Sequence, residues 1–566
     1  MLNAIAAFTT KTLTFGAFLI SVAVITTGLN EPVNAPKMLF LAITAFALLP
    51  SCFMYFRNKQ FNLRQNTSTI LILCLLLLFG FWLMTSNLLS SQPFEHGFYG
   101  TYGRNTGTLT YLSLSILLIA SIISSMANNA PFVLKALFFT GFINIIYFIL
   151  TKLGIELFNW NNPSNSVLGT FGNSNFAGAF MGIFFVFLFG SLFQINQSKL
   201  TKYLTVVLMP ITFYEVLQTK ATQGLIVCAL GLSVIFFYYL RFKVSKLIST
   251  SYAVIVSLIG LVGIAGILQV GPLEQYLYKL SVSLRGAYWA AGWQMGLNHP
   301  LFGVGPDSYG FYYREFRDQR VIDLVGPSVT TDAAHNVFMD IFAYGGVPLL
   351  LVYSAIQIYV IYKIVSQFRQ ARSFDPVFVI LVACWLGYQA QSLVSINQIG
   401  VAIWGWILGG LILGYNSIIP NLEEAALGSK SKKESKTKKD SSQLISAQGL
   451  LSTLCFTVIG FTIAIQPLLS DAKYYSALGK REITSIETAA KTWPTNPVRL
   501  GDAATLFSNN GFKAQSIEMA NYAIQKYPNS YVSWYVYYTT PGLPDAEKSK
   551  ALAKLKLLDP LNVELR

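Results

Sequence analysis

An imidazole at His335 and a guanidinium at Arg285 stand at the two ends of a polar stretch between long apolar runs, from LRGAYWAAGWQMGLNHPLFGVGPDSYG to TTDAAHNVFMD. Imidazole exchanges a proton near neutral pH, whereas guanidinium keeps its charge and offers paired N–H donors to phosphate or carboxylate. Facing each other at a membrane surface, they would suit proton transfer beside an anion. Asp332 and Asn336 flank His335 and are placed to orient the ring; a satisfied interfacial histidine is the competing reading. Arg285, Trp289 and Trp293 recur every fourth residue, so a helix would align them on one face. An interfacial anchor with its indoles at headgroup depth would show the same spacing.

Further polar groups sit at the ends of apolar runs. GTFGNSNFAGAF places Asn173 and Asn175 at a helix start, where backbone N–H groups can meet an anion, although its small residues also suit tight helix packing. Lys220 lies in the short turn QTKATQG, as a ligand contact or as a lysine reaching for headgroups. Arg314, Arg317 and Arg320 in YYREFRDQR alternate with acids and read as a solvated helix face. Glu95 and His96 in PFEHGFYG read as a loop-stabilising pair.

These residues must be held by a membrane bundle. Of 566 residues 53% are hydrophobic and 11% charged, and a mean hydropathy of +0.51 excludes a water-soluble globule. Apolar runs at about 13–27, 38–55, 70–89, 108–126, 132–150, 176–193, 204–218, 224–240, 252–270, 337–362, 377–395, 399–419 and 449–468 predict about thirteen transmembrane helices. The first, without a convincing cleavage site, reads as an uncleaved helix. Basic residues mark alternate connections: Arg57 and Arg64, Lys199 and Lys202, Arg241 and Lys243, Arg369 and Arg372, and a run from Lys430 to Lys439. That alternation puts the N-terminus in the cytoplasm and 86–106, 152–175, 219–223, 271–336 and everything after 470 outside. The net charge of +15 lies largely in the cytoplasmic connections, so no nucleic-acid partner is implied.

The predicted fold is all-α. A bundle over 1–420 includes the exterior loop 271–336, and a Lys-rich linker, 421–446, leads to a last transmembrane helix, 447–469. After 470 the chain becomes amphipathic, and Pro494, Pro528 and Pro560 fall 34 and 32 residues apart. That period resembles tetratricopeptide repeats, which would make 470–566 an exterior scaffold or docking surface. Cys52, Cys74, Cys228, Cys384 and Cys455 all lie within apolar runs and read as small buried hydrophobes.

Taken together, GTFGNSN, KATQG, SLRGAYWAAGWQMGLNHPLFGVGPDSYG and DAAHNVFMDIFAYGGVPLL resemble the O-antigen ligase and polymerase family, bacterial polytopic glycosyltransferases of the GT-C type that include some protein O-oligosaccharyltransferases. The pairing of HPLFGVGP with DAAHN is its specific part, and YGRNTG around Arg104 is similar to a recurring segment. Where the family usually carries arginine in a Ser-Arg-Gly turn, this chain has Gln223, with Lys220 one turn earlier.

The resemblance implies transfer of a glycan from an undecaprenyl diphosphate carrier to an acceptor hydroxyl at the exterior face of the bacterial inner membrane. It implies His335 as the base and Arg285, Lys220 and Arg104 as cations for the leaving diphosphate, with Asn173, Asn175 and Asp332 in the substrate site. The acceptor would be a glycan, lipid or protein, presented or docked by the repeat tail, and the single displacement would invert the anomeric carbon. No Asp-x-Asp occurs, so neither metal nor other cofactor is expected. Ligase, polymerase and protein oligosaccharyltransferase share this donor chemistry. A polysaccharide transporter or flippase and a membrane-tethered scaffold are the alternatives outside it. Loss of 470–566 should leave an enzyme some transfer activity and a scaffold none.

Overall fold

A computed structural model describes residues 2–58, 67–158, 160, 162, 165–194, 197–267, 271, 280–416 and 447–565. The expected linker, 421–446, and the basic run within it lie outside the described residues, as do 272–279. Every regular element described is a helix. The first ten are α1 (Leu2–Val22), α2 (Asn34–Arg57), α3 (Thr67–Leu88), α4 (Phe94–Tyr99), α5 (Thr108–Met126), α6 (Ala130–Lys152), α7 (Ser174–Ser191), α8 (Lys199–Gln218), α9 (Thr222–Tyr239) and α10 (Lys246–Ile267). After them come α11 (Leu280–Asn298), α12 (Tyr309–Phe316), α13 (Gln319–Val325), α14 (Val337–Gln370), α15 (Pro376–Ser392), α16 (Ile399–Gly414) and α17 (Ala447–Ala464). The chain closes with α18 (Gln466–Lys480), α19 (Ile483–Ala490), α20 (Pro497–Asn509), α21 (Lys513–Lys526), α22 (Tyr531–Thr539) and α23 (Asp545–Leu558).

Eleven of these helices are long and apolar enough to cross a membrane, while α15 and α16 are apolar but shorter. Together they occupy the thirteen runs read from the sequence. The first run is displaced: its helix starts at Leu2 and stops at Val22. Buried Lys37 draws its ammonium to the carbonyls of Ser21 at 2.7 Å and Ala23 at 3.0 Å, closing off a helix end that would otherwise leave acceptors unpaired.

Small residues set the helix spacing. At Gly410 and Gly414 of α16 an added Cβ would strike the carbonyls of Leu118 and Ile122 on α5, and Ser125 donates to the Leu411 carbonyl at 2.6 Å. Gly178 and Gly182 of α7 likewise admit the turn at Thr219 and the carbonyl of Gly224. α16 is buried along its whole length, so the α5–α16 pair is central. At the periphery, Leu258, Ile259 and Leu261 of α10 are all more than half exposed, a band that only lipid would cover. Cys74 and Cys455 are exposed on such faces, correcting the expectation that all five cysteines are buried; Cys52, Cys228 and Cys384 are.

A second apolar core, with Tyr474, Phe507, Met519, Tyr527, Trp534 and Leu555 among its members, lies in the C-terminal helical region. Phe311 of α12 packs into it, its ring stacked 6.2 Å from Tyr527. The seam with the bundle is polar. Asp471 accepts from the backbone N–H groups of Asn30 and Glu31 and from the Tyr102 hydroxyl, and Lys526 pairs with Glu95 at 2.9 Å.

Arg314 and Arg317 are not the solvated face expected of them. Both reach Asp559, at 2.8 and 2.7 Å, and the Arg317–Asp559 side chains are fully buried. α12 ends at Phe316 and leaves Arg317 in extended backbone, free to turn toward the C-terminal region; only Arg320, paired with Asp318, stays in solvent. The partner is too distant in sequence for local spacing to reveal it.

Candidate functional site

The long helix α14 is broken early, at Gly345 and Gly346, where Gly346 takes φ 67°. HPLFGVGP lies against that break: Val347 N–H donates to the Pro300 carbonyl at 2.8 Å, and Val304 N–H donates to the Ala343 carbonyl at 2.8 Å. A side chain at Gly346 would collide with Pro300, and one at Gly303 with Ala343. The Trp82 indole donates to Leu301 and Gly345 carbonyls at 3.0 Å each. Two motifs far apart in sequence are therefore one structural unit.

Asp307 ties in the third. Fully enclosed, its carboxylate accepts from Thr101 N–H at 2.7 Å, from the N–H and hydroxyl of Thr106, and from the Tyr344 hydroxyl at 3.1 Å. Burial pushes its pKa up to about 6, against the pull of those donors. The loop carrying Arg104 is thereby fixed to α14. His96, held near Asp307's carbonyl at 3.2 Å, is kept neutral by burial, its pKa pushed down to about 4.

Arg104 meets Asp332 through two parallel bonds of 2.7 and 2.8 Å. This corrects one expectation: Asp332 is turned to Arg104 and makes no hydrogen bond to His335, whose ring packs instead against Tyr288, centroids 5.7 Å apart. Asn336 does not orient the ring either. Its side-chain oxygen accepts from Phe338 and Met339 N–H and caps α14.

His335 takes φ 55°, a left-handed backbone costly for a residue with a Cβ. Its neighbours enforce it: Ala334 N–H donates to Asp340 at 2.7 Å on one side, and the Asn336 cap fixes the other. The imidazole pKa is pushed down to about 4, first by burial and then by Arg285 and Arg104, with Asp332 opposing. Arg285, half-buried on α11, is itself lowered by desolvation and feels Tyr288. Imidazole, Tyr288 and guanidinium thus form one electrostatic group, neutral at the imidazole and positive beside it.

A cavity of about 580 Å³ opens here, lined by Arg104, Tyr288, Asp332 and His335 from the bundle side and by Val498, Tyr531 and Val532 from the C-terminal region. Arg285 is not part of that lining. Lys220, Asn173 and Asn175 also lie outside it, at the α7–α8–α9 end where Thr219 packs over Gly178. Lys220 has φ 57°, and Asn173 caps α7 by accepting from Asn175 N–H at 2.9 Å. The sequence reading missed Asp307 and Tyr288. Asp307 follows HPLFGVGP directly, but nothing in that string announces the distant Thr101 and Thr106 it must hold.

Residues 204–354 match the O-antigen ligase family. The match contains Lys220, Arg285 and His335 and leaves out Arg104, Asn173, Asn175 and the C-terminal region. No curated protein matches the chain. The chain is thus a multi-pass helical membrane protein with a region similar to O-antigen ligases, which supports a membrane glycan ligase or polymerase class.

Proposed function

We propose that the protein transfers a glycan from an undecaprenyl diphosphate carrier to an acceptor hydroxyl at the exterior membrane face, as an inverting, metal-independent glycosyltransferase of ligase type. The observation that carries this reading is the imidazole of His335, on a left-handed backbone at a cavity wall, without a hydrogen bond among the described residues and under the charge of Arg285 and Arg104. The acceptor oxygen attacks the anomeric carbon, the bond to the diphosphate breaks, and its electron pair leaves on the diphosphate. The acceptor's proton passes to His335.

Arg285 holds the departing anion by charge, with Lys220 as a second cation toward the lipid side and Asn173 and Asn175 near it. Arg104 keeps Asp332 in place and supplies a further positive field. Burial depresses the imidazole most and the two guanidinium charges add to it; a diphosphate neutralising Arg285 would lift the Arg285 share. Base strength therefore rises when there is work for it.

In this reading the N-terminus is cytoplasmic and 470–566 is an exterior, repeat-like region. A ligase-like surface-glycan transferase is the form we infer; polymerase or protein O-glycosylation would use the same residues with another acceptor. Purified protein given a synthetic undecaprenyl diphosphate-linked oligosaccharide and a glycolipid acceptor should release undecaprenyl diphosphate and an acceptor-linked product of inverted anomeric configuration, read by NMR. Retained configuration, or carrier movement across a vesicle without bond cleavage, would rule this reading out, the second in favour of a flippase.

A further inference from the structure

The cavity at His335 has two walls of different origin. One carries Arg104, Tyr288, Asp332 and His335. The other belongs to the C-terminal helical region: Pro497 and Val498 at the start of α20, and Ser530, Tyr531 and Val532 at the start of α22. Val498 and Val532 are 44% and 47% exposed, so part of each apolar side chain is left open at the cavity. Thr330 and Thr331 add hydroxyls along the edge, and Arg314, 4.0 Å from the Tyr531 ring centroid, closes the corner.

This wall is fixed. Arg317 and Asp559 are buried together, Arg314 joins them, Glu95 binds Lys526 at 2.9 Å and accepts from Thr495 at 3.1 Å, and Asp471 is bonded to the α1–α2 connection. Arg314 itself lines the cavity, and Glu95 and Thr495 are near neighbours in the chain of the lining residues His96 and Pro497. A tether holding a partner at a distance would need no such seam.

The distribution of charge says which substrate the room is for. His335, which must touch the incoming hydroxyl, lines the cavity; Arg285, assigned to the departing diphosphate, does not. Apolar patches interleaved with hydroxyls suit a sugar ring, which presents C–H faces and an equatorial belt of hydroxyls.

We propose that the C-terminal helical region forms the outer wall of the acceptor subsite, with Val498, Val532 and Tyr531 contacting a glycan acceptor while its hydroxyl is presented to His335. The inference rests on the transfer reading above and deepens it, making the region a determinant of acceptor choice. It also alters what removal of 470–566 would mean. Truncation strips the partner from buried Arg317, so loss of activity would report unfolding of the seam as much as loss of substrate.

Exposed positions give a cleaner test. In full-length protein, Val532→Trp and Val498→Trp add uncharged bulk at the cavity without disturbing either core and without a new charge near His335. The probes are a synthetic undecaprenyl diphosphate-linked oligosaccharide as donor and a glycolipid extract of the source envelope as acceptor. Release of undecaprenyl diphosphate is measured with and without the extract, to separate transfer to sugar from transfer to water. Each variant is expected to lower kcat/KM for the acceptor on the order of tenfold or more, with donor KM and hydrolysis within about twofold of wild type. Acceptor kinetics unchanged in both variants, or hydrolysis falling in step with transfer, would overturn the subsite. Wild-type protein that cleaves the donor neither with extract nor without it would remove the transfer reading, and the subsite with it.

Discussion

Two arginine–aspartate pairs of equal length serve this molecule differently. Arg104–Asp332 at the cavity and Arg317–Asp559 at the seam both close to 2.7 Å, yet the first pair is about a third exposed and the second fully enclosed. Enclosure makes a pair structural: with water excluded, removing one member leaves a charge nothing can solvate. Partial exposure makes it available: little folding energy depends on it, and a ligand can reach its field. Burial, more than bond length, separates the joint from the site.

The largest effect should follow Asp559→Ala. Arg317 would be left buried and uncompensated beside Arg314, costing about 3–5 kcal/mol and loosening the C-terminal region. Hydrogen exchange or limited proteolysis should show helices 466–558 opening while the bundle stays protected. Protection unchanged from wild type would mean that the seam does not depend on this pair.

Asp340→Ala should come next. It removes the acceptor for Ala334 N–H and so relaxes the left-handed His335, at about 1–3 kcal/mol of stability. Transfer should fall with kcat, donor KM being little changed. An increase in KM alone would make Asp340 a binding residue instead of a positioning one.

Asp332→Asn should cost folding no more than about 1 kcal/mol, because the pair with Arg104 is solvent-accessible. It would, however, remove the one nearby charge that favours protonated His335. The acid limb of the rate profile should therefore move to lower pH. In wild type that limb, read in kcat/KM for the donor so that it reports the donor-free enzyme, is expected near 4 and not near 6.5: with its folded pKa depressed, the imidazole stays neutral as pH falls through 6.5 and protonates only near 4. A limb at the ordinary histidine value would mean that His335 is neither buried nor flanked by guanidinium groups. At the foot of the scale, Arg320→Ala should change neither stability nor transfer, since its pair with Asp318 lies in solvent.

Periodicity made the bundle legible, because a span of lipid imposes its length on every crossing helix. Local strings also marked Arg285, Arg104 and His335. What escaped depended on distant partners: Asp332 was assigned to its near neighbour His335 and belongs to Arg104, and the arginines of YYREFRDQR read as a solvated face because Asp559 lies some 240 positions on. Asp307 was invisible for the same reason. Its four donors come from Thr101, Thr106 and Tyr344, on both sides of it in the chain.

The central claim is that His335 takes the acceptor's proton beside the Arg285 cation. The rate of glycan transfer by purified His335→Ala, given the lipid diphosphate donor and compared with wild type, tests it most directly. The account predicts a fall of roughly 10²–10⁴-fold with donor binding retained. Transfer within a few-fold of wild type would contradict it.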